Sequence, residues 1–228
     1  MEWMHDGLPA LNREIVVCGL CPRLRDWCEE VARTKRRAYR DCEYWGGPVT
    51  GFGDPKARLL VIGLAPGAHG ANRTGRVFTG DSSGDWLYRA MHQTGFANRP
   101  ESVSRDDGLE LKDAWVTASV RCAPPVNKPS REEILTCRPY LEREIAFLKE
   151  VRVVIALGRL AFDNYLALLR GQGHAIPRCE FAHGTLYKLG PGLPVLISSY
   201  HPSRQNTQTG RLTEPMLRAV FERARNLM

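Results

Sequence analysis

The chain is predicted to form one three-layer α/β/α domain around a central four-stranded parallel sheet. Three observations predict it. Its 228 residues suit one domain with a substantial core. Four short runs, Arg58–Gly63, Ala114–Val120, Val151–Leu157 and Val195–Tyr200, are rich in Val, Ile or Leu, as parallel strands buried on both faces are. Between them lie helical patterns at about Ser83–Thr94, Ser130–Glu150 and Arg159–Arg170, with a last helix from about Glu214. Strand–helix alternation of this kind makes a parallel sheet with right-handed crossovers. No repeat, low-complexity segment or long linker divides residues 1–228.

In such sheets ligands sit beyond the carboxyl ends of the strands. Those ends lead into Gly63-Leu64-Ala65-Pro66-Gly67, Arg121-Cys122-Ala123-Pro124-Pro125-Val126-Asn127, Gly158-Arg159 and His201-Pro202-Ser203-Arg204. Three of the four are rich in Gly, Pro and polar residues, as site loops tend to be. The active site is expected there.

A further helix is predicted from Pro22 to Arg40. At about 100° per residue, Leu24, Trp27, Cys28 and Val31 share one face, and Arg33, Arg36, Arg37 and Arg40 lie nearly opposite. That basic stripe suits phosphates. It equally suits a helix dipole, with acids near the start and cations near the end.

Composition narrows the function classes. A net charge of +7 points to a polyanionic partner. The longest apolar runs are far too short for a membrane span. Met1–Leu11 lacks a basic stretch ahead of an apolar one, so a cytoplasmic location without a membrane partner is expected. Seven cysteines in an intracellular chain argue for a metal or cluster site and against a disulfide framework. Cys18-Gly19-Leu20-Cys21 is a CxxC pair, and Cys122 with Cys137 supplies a second pair. Zinc and a 4Fe–4S cluster both accept four cysteines, and spacing does not separate them. Buried cysteines also serve as small apolar core residues, which is the reading given to Cys28, Cys42 and Cys179.

Gly63-Leu64-Ala65-Pro66-Gly67 allows a tight turn and close approach of backbone N–H groups to a ligand. Asn72-Arg73-Thr74-Gly75-Arg76-Val77-Phe78-Thr79-Gly80-Asp81 follows, placing an aromatic, a glycine and a carboxylate just before a helix. Then come Arg121 to Pro129 and Tyr200-His201-Pro202-Ser203-Arg204-Gln205-Asn206 through Arg211. In these four motifs and four cysteines the sequence resembles the uracil-DNA glycosylase superfamily, specifically its iron–sulfur branch, family 5 or type B. The resemblance runs from the first CxxC to Arg211.

The resemblance implies a uracil-DNA glycosylase-like fold, a structural 4Fe–4S cluster on Cys18, Cys21, Cys122 and Cys137, and a monomer acting on DNA that contains uracil or other deaminated bases. The nucleotide must be flipped out of the duplex to be reached. The implied base pocket comprises Gly63, Leu64, Ala65, Pro66, Gly67, Ala68, Phe78 and Asn127. Phe78 stacks on the extruded ring, Asn127 bonds the base edge, and N–H groups from Ala65 to Ala68 help hold it. The implied catalytic pair is Asp81, which stabilises the sugar cation or positions water, and His201, which donates to the base oxygen as that gains charge. An Asp just before a helix is also a natural N-cap, and the two roles are compatible. Arg76 and the segment Ser203, Arg204, Gln205 and Asn206 are expected to contact DNA, with Arg204 and Gln205 filling the gap left by the flipped base.

Related family 4 enzymes carry a carboxylate where this chain has Leu64. Leucine neither orients water nor reads a base edge, and a pocket with few polar discriminators rejects isosteres poorly. The expected range is therefore uracil first, then hypoxanthine or xanthine. No lysine sits in a nucleophile setting, so hydrolysis without a covalent intermediate is expected. Two rival readings remain: a non-catalytic nucleic-acid module clipped by its cluster, and an enzyme acting on free nucleotides. The second expects a Gly-x-x-x-x-Gly-Lys-Ser/Thr phosphate loop, which the sequence lacks.

Overall fold

The computed structural model describes residues 7–228; residues 1–6 of the expected 1–228 domain lie outside the described residues. Six strands form one sheet in the order β1-β3-β2-β4-β6-β5. They are β1 (Phe52–Gly53), β2 (Leu59–Gly63), β3 (Ala114–Ala118), β4 (Val153–Leu157), β5 (Leu186–Tyr187) and β6 (Val195–Ser199). The four expected strands are the parallel centre, with Leu59 opposite Ala114 and Val153, and Val153 opposite Val195. β1 and β5 are additions, each two residues long and antiparallel to its neighbour. Such short pieces carry no alternation for a sequence to reveal. They lengthen the sheet beyond the four strands expected without changing its parallel core.

The α-helices among the described residues are α1 (Leu8–Val16), α2 (Pro22–Thr34), α3 (Ala71–Thr74), α4 (Ser82–Gln93), α5 (Arg131–Phe147), α6 (Arg159–Gly171), α7 (Arg204–Gln208) and α8 (Glu214–Arg225). The period-2 geometry of a strand sends neighbouring side chains to opposite faces. Leu59, Val61, Val153 and Ile155 pack with Leu87, Tyr88 and Met91 of α4 and Val220 and Phe221 of α8. Leu60, Ile62, Val154 and Ala156 pack on the other face with Leu141 of α5 and Phe162, Tyr165 and Leu166 of α6. This is the expected helix–sheet–helix layering. None of the helices among the described residues is long and apolar enough to cross a membrane.

The helix expected over Pro22–Arg40 stops at Thr34. Lys35 takes φ 52°, a left-handed conformation that ends the helix, and Arg37–Tyr39 form a separate 3-10 turn. The arginine stripe is therefore not one helical face. Leu24, Cys28 and Val31 are buried as expected, while Trp27 is half-buried.

Buried charge ties the sheet to α5. Glu144 is fully buried and receives Arg121 Nη2 at 2.6 Å, Thr117 Oγ1 at 2.6 Å and Trp115 Nε1 at 3.1 Å. A buried carboxylate needs this many donors to offset its lost hydration. The network fixes the end of β3, from which Cys122 departs, against the helix that carries Cys137.

Candidate active site and cysteine pocket

The loop after β2 folds back over that strand's end. Gly63 closes β2, and a Cβ there would stand 2.7 Å from the Phe78 ring, so only glycine lets the ring lie on the strand end. Phe78 itself takes φ 51°, rare for a bulky residue and costly. Its neighbours hold it there: Val77 is buried and its carbonyl accepts from Tyr88 Oη at 2.9 Å. The Phe78 ring faces His201, with ring centroids 5.8 Å apart and planes 31° apart.

Asp81 caps α4. Its Oδ1 accepts from Ser83 N at 3.0 Å and Gly84 N at 3.1 Å. Its Oδ2 points elsewhere, at the backbone of the loop after β2. A Cβ at Gly70 would come within 2.0 Å of Oδ2, and one at Gly67 within 2.8 Å. The capping role is thus real, and it occupies one oxygen while leaving the other at the loop. Burial raises the Asp81 carboxyl above the usual range, opposed by the two capping N–H groups.

His201 follows β6. Burial pushes its imidazole down to about 4, so the ring is neutral at pH 7 and keeps one N–H to donate. Its carbonyl accepts from Asn206 Nδ2 at 2.8 Å. Leu64, Ala65, Gly67 and Ala68 are half-buried around this space, and Pro66 is buried.

The expected DNA contacts divide. Arg204 and Gln205 are exposed on α7, and their side chains have no partner among the described residues. Ser203 caps α7, accepting from Asn206 N at 3.4 Å, and Asn206 is spent on His201, so both act first within the loop. Arg76 is a correction. Its side chain is only 5% exposed and pairs with Asp107 at 2.7 Å, with further bonds to Thr79 Oγ1, Ser102 Oγ and the Arg105 carbonyl. Four of the five guanidinium N–H groups are engaged in the interior, which keeps the side chain from reaching a phosphate at the surface. Asn127 is exposed at φ 57° on a 3-10 turn, Pro125–Asn127, and its side chain has no hydrogen-bond partner among the described residues.

The expected cysteines do come together. Cys18, Cys21, Cys122 and Cys137 line one cavity with Leu24 and Tyr140, and no carboxylate or imidazole lines it. Burial pushes the Cys137 thiol up to about 12, and burial with the neighbouring sulfur charges raises Cys21. An all-sulfur set that resists becoming thiolate by itself suits a cationic group, which reverses that preference. The two helices meeting at the cavity are strapped by Arg23, whose Nε and Nη2 each donate at 2.7 Å to Glu133. Glu133 also completes a capping box with Ser130 at the start of α5. Pro22 thus starts the helix that follows Cys21, and Ser130 caps the helix that carries Cys137.

Sequence reasoning missed several supports. Cys28 is fully buried, and its Sγ donates to the Ala123 carbonyl at 3.6 Å. It was visible only as an apolar-face cysteine. Arg73 pins the loop, donating to the carbonyls of His69 at 2.9 Å and Gly80 at 2.8 Å. Asn72 is buried without any exposure. Their placement between Gly67 and Asp81 was the one available signal.

A family model described as the uracil DNA glycosylase superfamily matches residues 50–225. A type-5 uracil-DNA glycosylase from Mycobacterium leprae is 51% identical over 222 residues, 97% of this chain and 96% of that protein. One from Thermus thermophilus is 52% identical over 218 residues, 96% of this chain and 97% of its own. A type-4 uracil-DNA glycosylase from Pyrobaculum aerophilum is 31% identical over 184 residues, 79% of this chain and 81% of its own.

Proposed function

The chain belongs to the uracil-DNA glycosylase superfamily, and from that premise we propose that it excises uracil from DNA, beginning base-excision repair, by stabilising charge on both sides of the breaking bond. The observation that carries the reading is the division of Asp81. One oxygen is held by the start of α4, and the other faces the Gly67–Gly70 turn beside the Phe78–His201 pair. A flipped uracil stacks on Phe78. As the C1′–N1 bond breaks, its electron pair moves to the base, and His201, neutral and donating, stabilises the oxygen that gains charge. Asp81 Oδ2 stabilises the sugar cation and orients the water whose hydroxyl joins C1′. The water's proton balances the departing base anion. No step needs a lysine, so no covalent adduct forms.

Cys18, Cys21, Cys122 and Cys137 would hold a 4Fe–4S cluster. Among the described residues, no three Cys, His, Asp or Glu side chains converge closely enough for a single ion. Four sulfurs about one cavity accept either zinc or a cluster, and the resemblance in the four motifs favours the cluster. When bound, that group supplies a structural cross-link among α2, the end of β3 and α5. Arg204 and Gln205, exposed and unengaged, fill the vacated stack. Leu64 leaves the pocket open to other deaminated bases such as hypoxanthine and xanthine. The chain works as a monomer in the cytoplasm.

Incubation of the purified, metal-loaded protein with a uracil-containing oligonucleotide, then alkali, should give a break at the uracil. Salt-dependent binding without any break would leave only the non-catalytic module. A brown protein with visible absorbance fits the cluster, and a colourless one fits zinc.

A further inference from the structure

We propose that Asn72 is a positioning residue that clamps the Gly67–Gly70 turn to α2, so that the state of the cysteine pocket sets the geometry of the loop facing Asp81. The inference rests on the reading of that loop as part of the active site. Asn72 has no exposed surface. Its Nδ2 donates to the carbonyls of Cys28, in α2, at 3.2 Å and of Ala68, in the turn, at 3.4 Å. Its backbone N–H donates to Gly67 O at 3.0 Å, and its own carbonyl accepts from Gly46 N at 3.0 Å. One residue therefore joins three segments: α2, the Gly67–Gly70 turn and the stretch at Gly46.

Two further observations give the joint a direction. On one side, Cys28 Sγ donates to the carbonyl of Ala123, the residue after Cys122, and packs in one buried cluster with Cys122 and Cys137, walls of the cysteine cavity. On the other, the turn that Asn72 holds is the one packed against Asp81 Oδ2, where Gly70 leaves no room even for a methyl group. Displacement of α2 is passed through the Asn72 amide to the atoms opposite the carboxylate. Asparagine suits the task because one nitrogen offers two hydrogens to two carbonyls. Its Oδ1 is buried without a partner, a cost that the donor end has to outweigh. Aspartate, of the same shape, would set a carboxylate against both carbonyls.

The test compares wild type, Asn72→Ala and Asn72→Asp as loaded enzymes. Both variants should keep wild-type visible absorbance per chain and the same fraction of active sites in a burst. The single-turnover rate at saturating uracil-DNA should fall about 100-fold, as expected for slight misplacement of reacting groups, with DNA affinity changed only a few-fold. Hydrogen exchange should quicken at residues 67–72 and stay unchanged over 22–34. A structural role alone would lower the active fraction and leave the rate per active site unchanged. An arm without variants covers the case of poor folding: stripping the metal group from wild type should quicken exchange at 67–72. Unchanged exchange there, or a wild-type rate in both variants, would overturn the clamp. Loaded wild type that released no uracil would instead sink the proposed function, leaving the exchange result to decide the clamp.

Discussion

The loops after β2 and β6 meet across the same space and are built in opposite ways. The first, from Leu64 to Asp81, is pinned throughout by Asn72, Arg73 and the buried Arg76–Asp107 pair. The second, from His201 to Arg211, is held at its root by Asn206 and carries Arg204 and Gln205 into solvent. Electrostatic stabilisation of developing charge needs dipoles that do not reorganise, and that is the character of the first loop. Entering a DNA stack needs side chains with nothing else to hold, and that is the character of the second. Positive charge alone does not show which arginine is free to meet a partner; burial separates Arg76 from Arg204.

The largest effect should come from the rigid half. Asp81→Asn keeps an N-cap, since asparagine caps as well as aspartate, yet removes the charge. Single-turnover uracil release should fall about a thousandfold, near the upper range for loss of one electrostatic group, with DNA binding nearly intact. An unchanged rate would remove Asp81 from the chemistry. Arg76→Ala should act on the fold alone. Stranding Asp107, which burial would raise but Arg76 and three backbone N–H groups hold well below the usual carboxylate range, should cost about 3–5 kcal/mol in urea unfolding. The salt dependence of DNA binding should not move; a shallower slope would return Arg76 to the DNA surface.

His201 links the two halves. His201→Gln should slow release about 100-fold. It should also alter acid stability. The folded imidazole titrates at about 4 against an ordinary 6.5, so between those values the unfolded chain binds the extra proton. Wild type should therefore lose stability as pH falls from 6.5 toward 4, and the variant should lose less over that window. Equal losses in urea titrations at pH 7 and 4.5 would contradict a buried, neutral His201. The smallest effect belongs to the exposed half: Arg204→Ala with Gln205→Ala should weaken DNA binding about tenfold, reduce the salt slope by about one and leave the melting temperature unchanged.

Much of this was legible in the chain itself. The parallel strands announce themselves because both faces are buried, leaving unbroken Val, Ile and Leu runs such as Val153–Leu157. The family resemblance pointed to the four cysteines, which share one cavity, and to Phe78 and His201, whose rings face each other. What stayed hidden depends on partners remote in sequence. Arg76 reads as a surface cation until Ser102 and Asp107 close over it. Asn72 reads as loop filler until Cys28, 44 residues away, supplies its acceptor. The end of α2 was misplaced because the charge pattern continues past Lys35 while the backbone turns left-handed there.

The strap between Arg23 and Glu133 bears on the order of assembly. Ion pairing and a capped helix start bring the segments after Cys21 and before Cys137 into register by means that involve no sulfur. The walls of the cysteine cavity are thus held by contacts that need no metal, unlike those of a zinc-finger-like peptide that the metal itself must shape.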